Sequence, residues 1–589
     1  MAHFRTGHRS IQARRSREAL AILRRFGRNE DGSLVIFALM LSLLMIMMGG
    51  IAVDVMRYET RRTALQNTLD RSTLAAAALT QGLDPKAVVN DYFLRAGLSQ
   101  YLRSVTVTEG LNFRNVSAHA VADTQPLFLN MIGIPVFDAA GRSTAEQRIN
   151  NVEIMLVLDV SGSMAFNSKI QNLQSAAKQF VATVLAKDTE HLISIGIVPF
   201  NGQVNLGTTL LSQYNATLSN AATAAAPTLK ATDVNCVDLP ASVYDDSTMS
   251  SSLALPMTAN ADTYSGTNQT TAFVAYSDTN YSVPRVANQW CPPKPGNIVR
   301  VPQQNVATLQ GYINGLSAVG ATSINAGMKW GLTLLDPSSR AMFSTLVGAN
   351  VMPATMAARP FDYQDNEAMK VIVLMTDGEN FPEERLNPYY KDVISPIYRG
   401  TSDNYYSIFH AGKVDNTSEA TIAASKPYYV PHLDAWHVRP WNGTAPLGTD
   451  TYVPAATISG ATMQTWPQIW ANMRLSYVAW QFYARPLGGS NSALRSQIYS
   501  DTMNLFRSKT DIATGNTPTM DGQMQAICTM AKNQNVIIYG IAFEAPANGQ
   551  TQIRNCSTSA AHYFNANGLQ IATAFTAIAN NISQLRLTQ

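Results

Sequence analysis

Oxygen-bearing side chains lie in three short stretches of this sequence. One follows an apolar run at 153–158, one opens a helical pattern near residue 322, and one closes an apolar run at 369–375. Carboxylates and hydroxyls are hard ligands that suit Mg²⁺, Mn²⁺ or Ca²⁺, and a set without Cys or His argues against zinc and copper. We therefore predict one divalent-cation site, with Mg²⁺ preferred and Mn²⁺ or Ca²⁺ as alternatives. Its predicted ligands are Asp159, Ser161, Ser163, Thr322 and Asp377.

Local capping is the alternative explanation for these polar side chains. Ser163 and Ser323 could each cap a helix, and Asp159 could accept backbone N–H bonds. Capping alone accounts poorly for three such stretches in the same strand-end context. Open α/β sheets bind ligands at the carboxyl ends of their strands, so the positions favour a ligand site.

The elements that must position these residues alternate regularly from residue 151 onward. Uninterrupted short apolar runs indicate buried strands, and apolar residues three or four positions apart indicate amphipathic helices. Their alternation predicts an α/β fold whose mostly parallel sheet has helices on both faces. Strands are predicted at 153–158, 192–200, 369–375, 536–543 and 562–565, and helices at 169–185, 520–532 and 569–585.

Two long stretches interrupt this alternation, at about 206–303 and about 380–515. Both are rich in Tyr, Asn, Thr, Ser and Pro, and loops of this length without structure of their own are uncommon, so we expect partly folded insertions. We expect the Trp residues of the second stretch to form its own small core. The alternative is an exposed aromatic surface for a peptide or a glycan. Five of the seven Trp lie there, at positions 436, 441, 466, 470 and 480.

The N-terminal region predicts a membrane anchor, with residues 1–33 as an Arg-rich cytoplasmic segment. Residues 1–28 contain eight Arg and one acidic residue, and residues 34–53 form a run of 20 mostly apolar residues. At about 1.5 Å per residue, the run spans roughly the 30 Å hydrocarbon core. The Arg-rich segment should stay inside and the rest of the chain lie outside. A signal peptide would have a shorter apolar region, a core helix would not follow eight Arg, and a mitochondrial presequence is a further alternative.

Residues 54–150 are expected to form a stalk helix and a small α+β module. Leu65, Leu69 and Leu74 recur near helical spacing, so the membrane helix should continue beyond the apolar run. A short helix is expected at 85–98. Strand-like runs begin at Val105 and Val116.

All four cysteines lie far beyond the predicted anchor, where an oxidising compartment would favour two disulfides. Four cysteines allow three pairings, and the choice comes from the predicted domain map. Cys236 and Cys291 both lie in the first insertion, whereas Cys528 and Cys556 flank the strand predicted at 536–543. We therefore expect Cys236 to pair with Cys291 and Cys528 with Cys556. Four buried free thiols are the alternative.

The predicted ligand stretches resemble the metal-ion-dependent adhesion site (MIDAS) of von Willebrand A (VWA) domains. The matching motifs are D-x-S-x-S at 159–163, the loop around Thr322 and T-D-G at 376–378. This resemblance implies a Rossmann-like VWA domain over 151–589 that carries both insertions. It also implies that the cation takes part in binding another molecule.

The N-terminal stretch RFGRNEDGSLVIFAL at 25–39 resembles the start of TadE/TadG-like proteins of the Flp (Tad) pilus system. Such a TadG-like protein combines this segment with a VWA domain. Ile36 stands near the place where cleaved pseudopilins of the system carry Glu, so a retained anchor is expected.

These features predict a membrane-anchored binding protein and not an enzyme. An open coordination position on the cation could accept an acidic side chain of a partner, and the TadG-like resemblance implies that the partner belongs to a pilus or secretion system. The sequence has no G-x-S-x-G, H-E-x-x-H or Walker motif. A net charge of +3 gives no indication of nucleic-acid binding.

The expected location is the bacterial inner membrane, with a single pass and a periplasmic C-terminal region. The alternative function is a surface adhesin that binds an extracellular ligand through the same cation site. A hydrolase within the aromatic insertion ranks last, because His432 and His437 around Asp434 are a weak motif.

Overall fold

The structure is a computed structural model, and it divides into two compact units, Met1–Arg148 and Ile149–Gln589. It describes residues 33–78, 81–109, 113–134, 136–148, 151–186, 188, 191–217, 235–265, 288–365, 367–403, 405–413, 426–443, 459–510 and 519–583. The Arg-rich stretch at 1–28 lies outside the described residues.

A single 45-residue helix dominates the first unit, α1 at Ser33–Ala77. Its apolar part is exposed, and only 6% of its most apolar 18-residue stretch is buried. The helix is long and apolar enough to cross a membrane. The helix continues without a break into the stalk, as predicted, and there it buries Leu65 and Leu69. It therefore fits a single-pass membrane anchor that extends into a folded module.

The module beside the stalk consists of helix α2, Pro85–Arg95, and an antiparallel sheet of strands β1, β2 and β3 in that order. The strands are Leu102–Glu109, Phe113–Thr124 and Phe137–Arg148. Strand β3 was not predicted, because its sequence FDAAGRSTAEQR has no β-branched residue except one Thr. Strand β3 is instead stabilised by its pairing with β2 over twelve positions and by the packing of Gly141 against Leu69 of α1.

The second unit is built on a six-stranded sheet. Its strands are β4 Asn151–Asp159, β5 Ile193–Phe200, β6 Arg300–Gln303, β7 Ala368–Thr376, β8 Ile537–Phe543 and β9 Tyr563–Ala566. The order is β9-β8-β7-β4-β5-β6, with all neighbours parallel except the edge strand β6. The predicted α/β class with a mostly parallel sheet is confirmed. Because β6 belongs to this sheet, the first insertion ends before Arg300 and not at residue 303.

Helices cover both faces of this sheet. They are α3 Lys169–Leu185, α4 Val306–Asn314, α5 Ile324–Leu335, α6 Arg340–Gly348, α7 Met520–Asn533, α8 Ala547–Cys556 and α9 Gln570–Ser583. Met155 and Val157 of β4 join the core beneath α5, α7 and α8. Alternate residues of a strand face opposite sides, so Leu156 points to the other face. There α3 packs on α9 through an edge contact between Phe180 and Phe575.

The first insertion contains little regular structure in its described part. It has a short helix at Gly207–Leu211 and a two-stranded parallel ribbon of Ala216–Thr217 with Leu255–Pro256. A disulfide joins Cys236 to Cys291 with a Cα–Cα distance of 6.2 Å. A second disulfide joins Cys528 to Cys556 at 5.1 Å, so both predicted pairings are confirmed.

The second insertion forms a small layer of its own. Its antiparallel sheet has the order Ala435–His437, Tyr428–Val430, Tyr406–Phe409, Ile394–Gly400 and Ala461–Thr465. A two-stranded antiparallel ribbon pairs Glu383–Leu386, near the start of the insertion, with Arg507–Thr510, near its end. Helices lie at Tyr389–Asp392, Trp466–Trp470, Leu475–Val478, Arg485–Gly488 and Ser492–Phe506, with a π-helical turn at Ala479–Ala484.

The Trp residues of this insertion form its core, as predicted. Trp466 and Trp470 stack with ring centroids 4.9 Å apart, and Phe506 packs on the edges of both. Trp441 and Trp480 are also buried, and Trp436 is partly buried. The stacked rings are therefore internal, and the alternative of an exposed aromatic surface is wrong for these residues.

Candidate metal centre

Two adjacent parallel strands bring the predicted ligands to one edge of the sheet. Leu158 of β4 pairs with Met375 of β7, so both strands end at the same level. Asp159 is the last residue of β4, and Asp377 follows directly after β7. Burial of the apolar residues of β4 and β7 fixes the register between the two strands. That register in turn aligns the carboxylates of Asp159 and Asp377.

A tight turn after β4 carries the two serines. Ser161 precedes the single 3₁₀ turn Gly162–Ala165, which contains Ser163 and leads towards α3. The N–H of Gly162 donates to the carbonyl of Gly320, 2.9 Å away, and a Cβ atom on Gly162 would lie 3.1 Å from that oxygen. Gly320 also has φ of +85°, which favours glycine. The two glycines therefore allow the serine turn to approach the loop that carries Thr322.

Side-chain oxygens form a continuous chain across the site. Ser161 Oγ lies 3.0 Å from Ser163 Oγ, and Ser163 Oγ donates to Asp377 Oδ1 at 2.7 Å. Thr322 borders the same space, since a Cβ atom on Gly378 would be 3.6 Å from Thr322 Oγ1. The structure thus brings Ser161, Ser163 and Asp377 into one hydrogen-bonded chain at the sheet edge, with Thr322 beside the neighbouring Gly378.

Asp159 is fully buried and fixed by two donors. The backbone N–H of Ser161 donates to its Oδ1 at 2.7 Å, and the Thr376 hydroxyl donates to its Oδ2 at 2.5 Å. Burial, and then the nearby charge of Asp377, raise the pKa of Asp159 to about 7. A buried carboxylate whose ionised form is disfavoured in this way would be stabilised by a nearby cation.

Lys169 is a member of this cluster that the sequence analysis missed. Its Nζ donates to Asp377 Oδ2 at 2.9 Å and lies 3.7 Å from a carboxylate oxygen of Glu544. Lys169 is the first residue of α3, where a cation opposes the helix dipole. That unfavourable position was the available signal, because an anionic partner would offset the repulsion between the lysine and the helix dipole. Thr376, which orients Asp159, was also missing from the predicted ligands.

The donor set fits a small divalent cation. Adjacent ligands of an octahedral Mg²⁺, each at roughly 2.0–2.1 Å, stand about 2.9 Å apart. The two serine hydroxyls, which share a hydrogen bond here, are 3.0 Å apart, a separation compatible with such a pair. Ser163 is exposed whereas Ser161 and Asp377 are buried, so the site opens to solvent on the serine side.

Aromatic side chains of both insertions lie beside the loop of Thr322. The backbone N–H of Phe381 donates to the carbonyl of Thr322 at 2.8 Å. The Phe381 ring meets Tyr264 edge-on at 5.1 Å and approaches Trp290 at 6.2 Å. The insertions therefore border one side of the site, and Tyr264 is 53% exposed there.

The two histidines of the weak H-x₄-H motif lie in the second insertion, away from these ligands in the sequence. His432 stacks on Tyr405 at 4.2 Å and meets the edge of Trp441 at 4.5 Å. Burial lowers the pKa of His432. His437 lies on the edge strand Ala435–His437. Packing between rings gives His432 a structural role.

Residues 32–79 match the family model described as Putative Flp pilus-assembly TadE/G-like. The matched range coincides with α1, so the predicted resemblance of the N-terminal segment is confirmed. No curated protein matches the chain. The match covers the anchor and stalk, and it identifies a pilus-assembly type of segment there.

Several solved structures of pilus proteins are similar to the chain at low identity. The vWF domain of the type V pili tip protein Mfa5 from Porphyromonas gingivalis is 13% identical, with a TM-score of 0.28, and the match covers 74% of this chain and 96% of that one. The adhesive tip pilin GBS104 from Group B Streptococcus agalactiae is 10% identical, with a TM-score of 0.29, and the match covers 73% of this chain and 100% of that one. The pilus adhesin SpaC from Lactobacillus rhamnosus GG is 10% identical, with a TM-score of 0.28, and the match covers 82% of this chain and 34% of that one.

The chain thus spans about a third of the length of SpaC. Since these identities and scores are low, the fold assignment depends on the strand order and on the loops at the sheet edge. The second unit has the VWA fold, with the D-x-S-x-S turn after β4 and T-D-G after β7.

Proposed function

We propose that this chain is a membrane-anchored VWA protein of Flp (Tad) pilus assembly that binds a divalent cation and, through it, a partner protein. The role is binding and not catalysis. In this proposal, α1 anchors the chain in the inner membrane and the folded units lie in the periplasm. Mg²⁺ is the preferred cation.

The observation that carries this proposal is the convergence of oxygen ligands at the sheet edge. Asp159, Ser161, Ser163, Thr322 and Asp377 come from three separate loops. Capping alone does not require Ser163 Oγ to lie within 3.0 Å of Ser161 Oγ and within 2.7 Å of Asp377. Of the contacts that the capping alternative predicts, Asp159 does accept the backbone N–H of Ser161, but Ser323 at the N-cap of α5 makes no side-chain capping bond.

A bound cation would supply a positive charge with a coordination position open to an anionic ligand. The two serine hydroxyls would contact it without adding negative charge, and the carboxylates of Asp159 and Asp377 would balance it. Because Ser163 is exposed, an acidic side chain of a partner could reach the same point. Recognition of this kind needs no chemical step.

The cation can be tested by calorimetry on the full-length chain in detergent. Mg²⁺ should bind the wild type, and the double variant Asp159→Ala, Asp377→Ala should show no measurable binding. The double variant Asp245→Ala, Asp362→Ala removes two carboxylates outside the site and should bind normally. Equal affinity of the wild type and the first double variant would refute the site.

The partner can be tested by affinity purification from membranes of the native host. Proteins that copurify in Mg²⁺ with the wild type, and are lost with EDTA or with Asp159→Ala, are the expected partners. Pilus or secretion components among them would support the proposal. Recovery of the chain from the outer membrane would instead favour the adhesin alternative.

A further inference from the structure

The loop between β2 and β3 carries an unusual concentration of exposed apolar side chains. Residues 125–136, QPLFLNMIGIPV, contain no charged residue. Leu127, Met131, Ile132 and Ile134 are exposed by 62%, 78%, 48% and 41%. In water such a patch would be unfavourable, so its surroundings should be apolar.

The loop is attached to α1 at the outer end of the apolar run. The carboxylate of Asp54 accepts hydrogen bonds from the backbone N–H groups of Leu127, Phe128 and Leu129, at 3.0, 2.7 and 2.9 Å. Asp54 is only 2% exposed and directly follows the run 34–53. Three backbone N–H groups that donate to one carboxylate fix the start of the loop to this level of the helix.

A second contact lies one helical turn closer to the membrane. The ring of Phe128 covers Gly50, and a Cβ atom on Gly50 would lie 2.3 Å from that ring. Gly50 is within the apolar run, and four residues of helix correspond to about 6 Å along its axis. The loop therefore lies beside the C-terminal end of the apolar run, where the hydrocarbon core of a bilayer spanned by that run would give way to the headgroups.

We propose that the loop at 127–134 inserts into the outer interface of the bilayer beside the anchor helix. Its occupant is the lipid surface, because the loop lies against the end of the membrane-spanning segment. Apolar side chains at this level bury about 5–10 Å deep in the headgroup and acyl boundary. The inserted loop would fix the module on the membrane. This inference rests on the anchor part of the proposed function.

Environment-sensitive labelling can test the insertion. All four native cysteines are in disulfides, so a single introduced cysteine takes the label. The full-length chain with Met131→Cys, labelled with a nitrobenzoxadiazole dye, is reconstituted into vesicles of phosphatidylethanolamine and phosphatidylglycerol that carry a nitroxide lipid. A blue-shifted emission and a loss of fluorescence to the nitroxide are expected.

Two matched positions serve as controls. Leu43→Cys lies within the apolar run and is 58% exposed in the structure, so it should be quenched. Leu94→Cys lies on α2, the helix that packs beside the stalk, and replaces an apolar residue that is 68% exposed. A label there should keep the emission that it has in water.

The three labels separate the possible failures. Quenching at Leu43→Cys with a water-like signal at Met131→Cys would overturn the insertion and leave the anchor intact. A water-like signal at both would overturn the anchor and, with it, the insertion. Shielding of Met131→Cys in native membranes but not in vesicles would also overturn the proposal, in favour of a protein that covers the loop.

Discussion

Asp377 is the residue on which the candidate site depends most directly. Its two carboxylate oxygens have different partners, with Ser163 on Oδ1 and the ammonium of Lys169 on Oδ2. Lys169 already balances part of the negative charge that a divalent cation would balance. Two cations close to one carboxylate repel each other, so this lysine should weaken cation binding.

Replacing Lys169 should strengthen cation binding. In Lys169→Met, loss of a unit charge at ion-pair range is worth about 1–4 kcal/mol, which corresponds to roughly fivefold tighter Mg²⁺ binding or more. Calorimetry on the full-length chain measures this change. Lys178→Met removes a lysine of the same helix that bonds Asn314 and should leave the affinity unchanged. Weaker binding by Lys169→Met would show that Lys169 supports the site instead.

At the scale of elements, the position of α5 sets how the loop of Thr322 meets the sheet. Two glycines on this helix face the strands closely. A Cβ atom on Gly327 would lie 2.6 Å from the ring of Phe200, and one on Gly331 would lie 2.6 Å from Val157. The helix can therefore approach β4 and β5 more closely than a helix with larger residues could.

A methyl group at this contact should destabilise the fold. In Gly331→Ala the added atom forces Val157 or the helix to shift, which costs about 1–3 kcal/mol. Gly311 lies within α4 and has open space around its Cα. Gly311→Ala should therefore stabilise the chain by up to about 1 kcal/mol. Denaturant unfolding measures both, and equal effects of the two substitutions would contradict the packing argument.

The second insertion contains a buried histidine that should make it sensitive to acid. His410 Nε2 lies 2.8 Å from the carbonyl of Phe482, and the ring contacts Trp436 and Tyr483. Burial lowers the pKa of His410 to about 4, and Lys413 contributes in the same direction. The unfolded chain binds a proton near pH 6.5, so stability is full above that value and is lost as pH falls towards 4.

Between about pH 7 and about pH 5, the insertion should lose roughly 2 kcal/mol of stability through His410. Trp fluorescence during thermal unfolding reports this, because five of the seven Trp lie in the insertion. His410→Gln keeps a donor for the carbonyl of Phe482 but cannot be protonated, and it should reduce the pH dependence. His191→Gln changes an exposed histidine and should not. An unchanged profile in His410→Gln would rule out this explanation.

At the scale of the whole molecule, charge and disulfides indicate the same orientation. Eight Arg precede the apolar run, and both disulfides lie beyond it. Positive residues stay on the cytoplasmic side, and disulfides persist in oxidising compartments. The anchor should therefore hold both folded units outside the cytoplasm.

Reporter fusions in a bacterial host can test this orientation. Alkaline phosphatase fused after residue 100 should be active, and the same enzyme fused at residue 28 should be inactive, because it folds only in the periplasm. β-Galactosidase at the two positions should give the reciprocal result. Alkaline phosphatase activity at residue 28 alone would mean that the topology is reversed.

Features that depend on consecutive residues could be predicted from the sequence by itself. The apolar run at 34–53, the strand that ends at Asp159 and the helix at 169–185 each have a local pattern. Burial selects such patterns directly, since an uninterrupted apolar run suits a membrane helix or a strand covered on both faces, and a period of 3.6 residues gives a helix one apolar face. The identity of the candidate ligands followed because they stand at the ends of these elements.

The tertiary structure decided the contacts between residues that are far apart in the chain. Lys169 and Asp377 are 208 positions apart, and Asp54 meets Phe128 across 74. No spacing in the sequence encodes such pairs, because they arise from the order in which strands and helices pack. The same reason hid β3 and the edge strand β6, which are held by pairing with β2 and β5 and not by a strong pattern of their own.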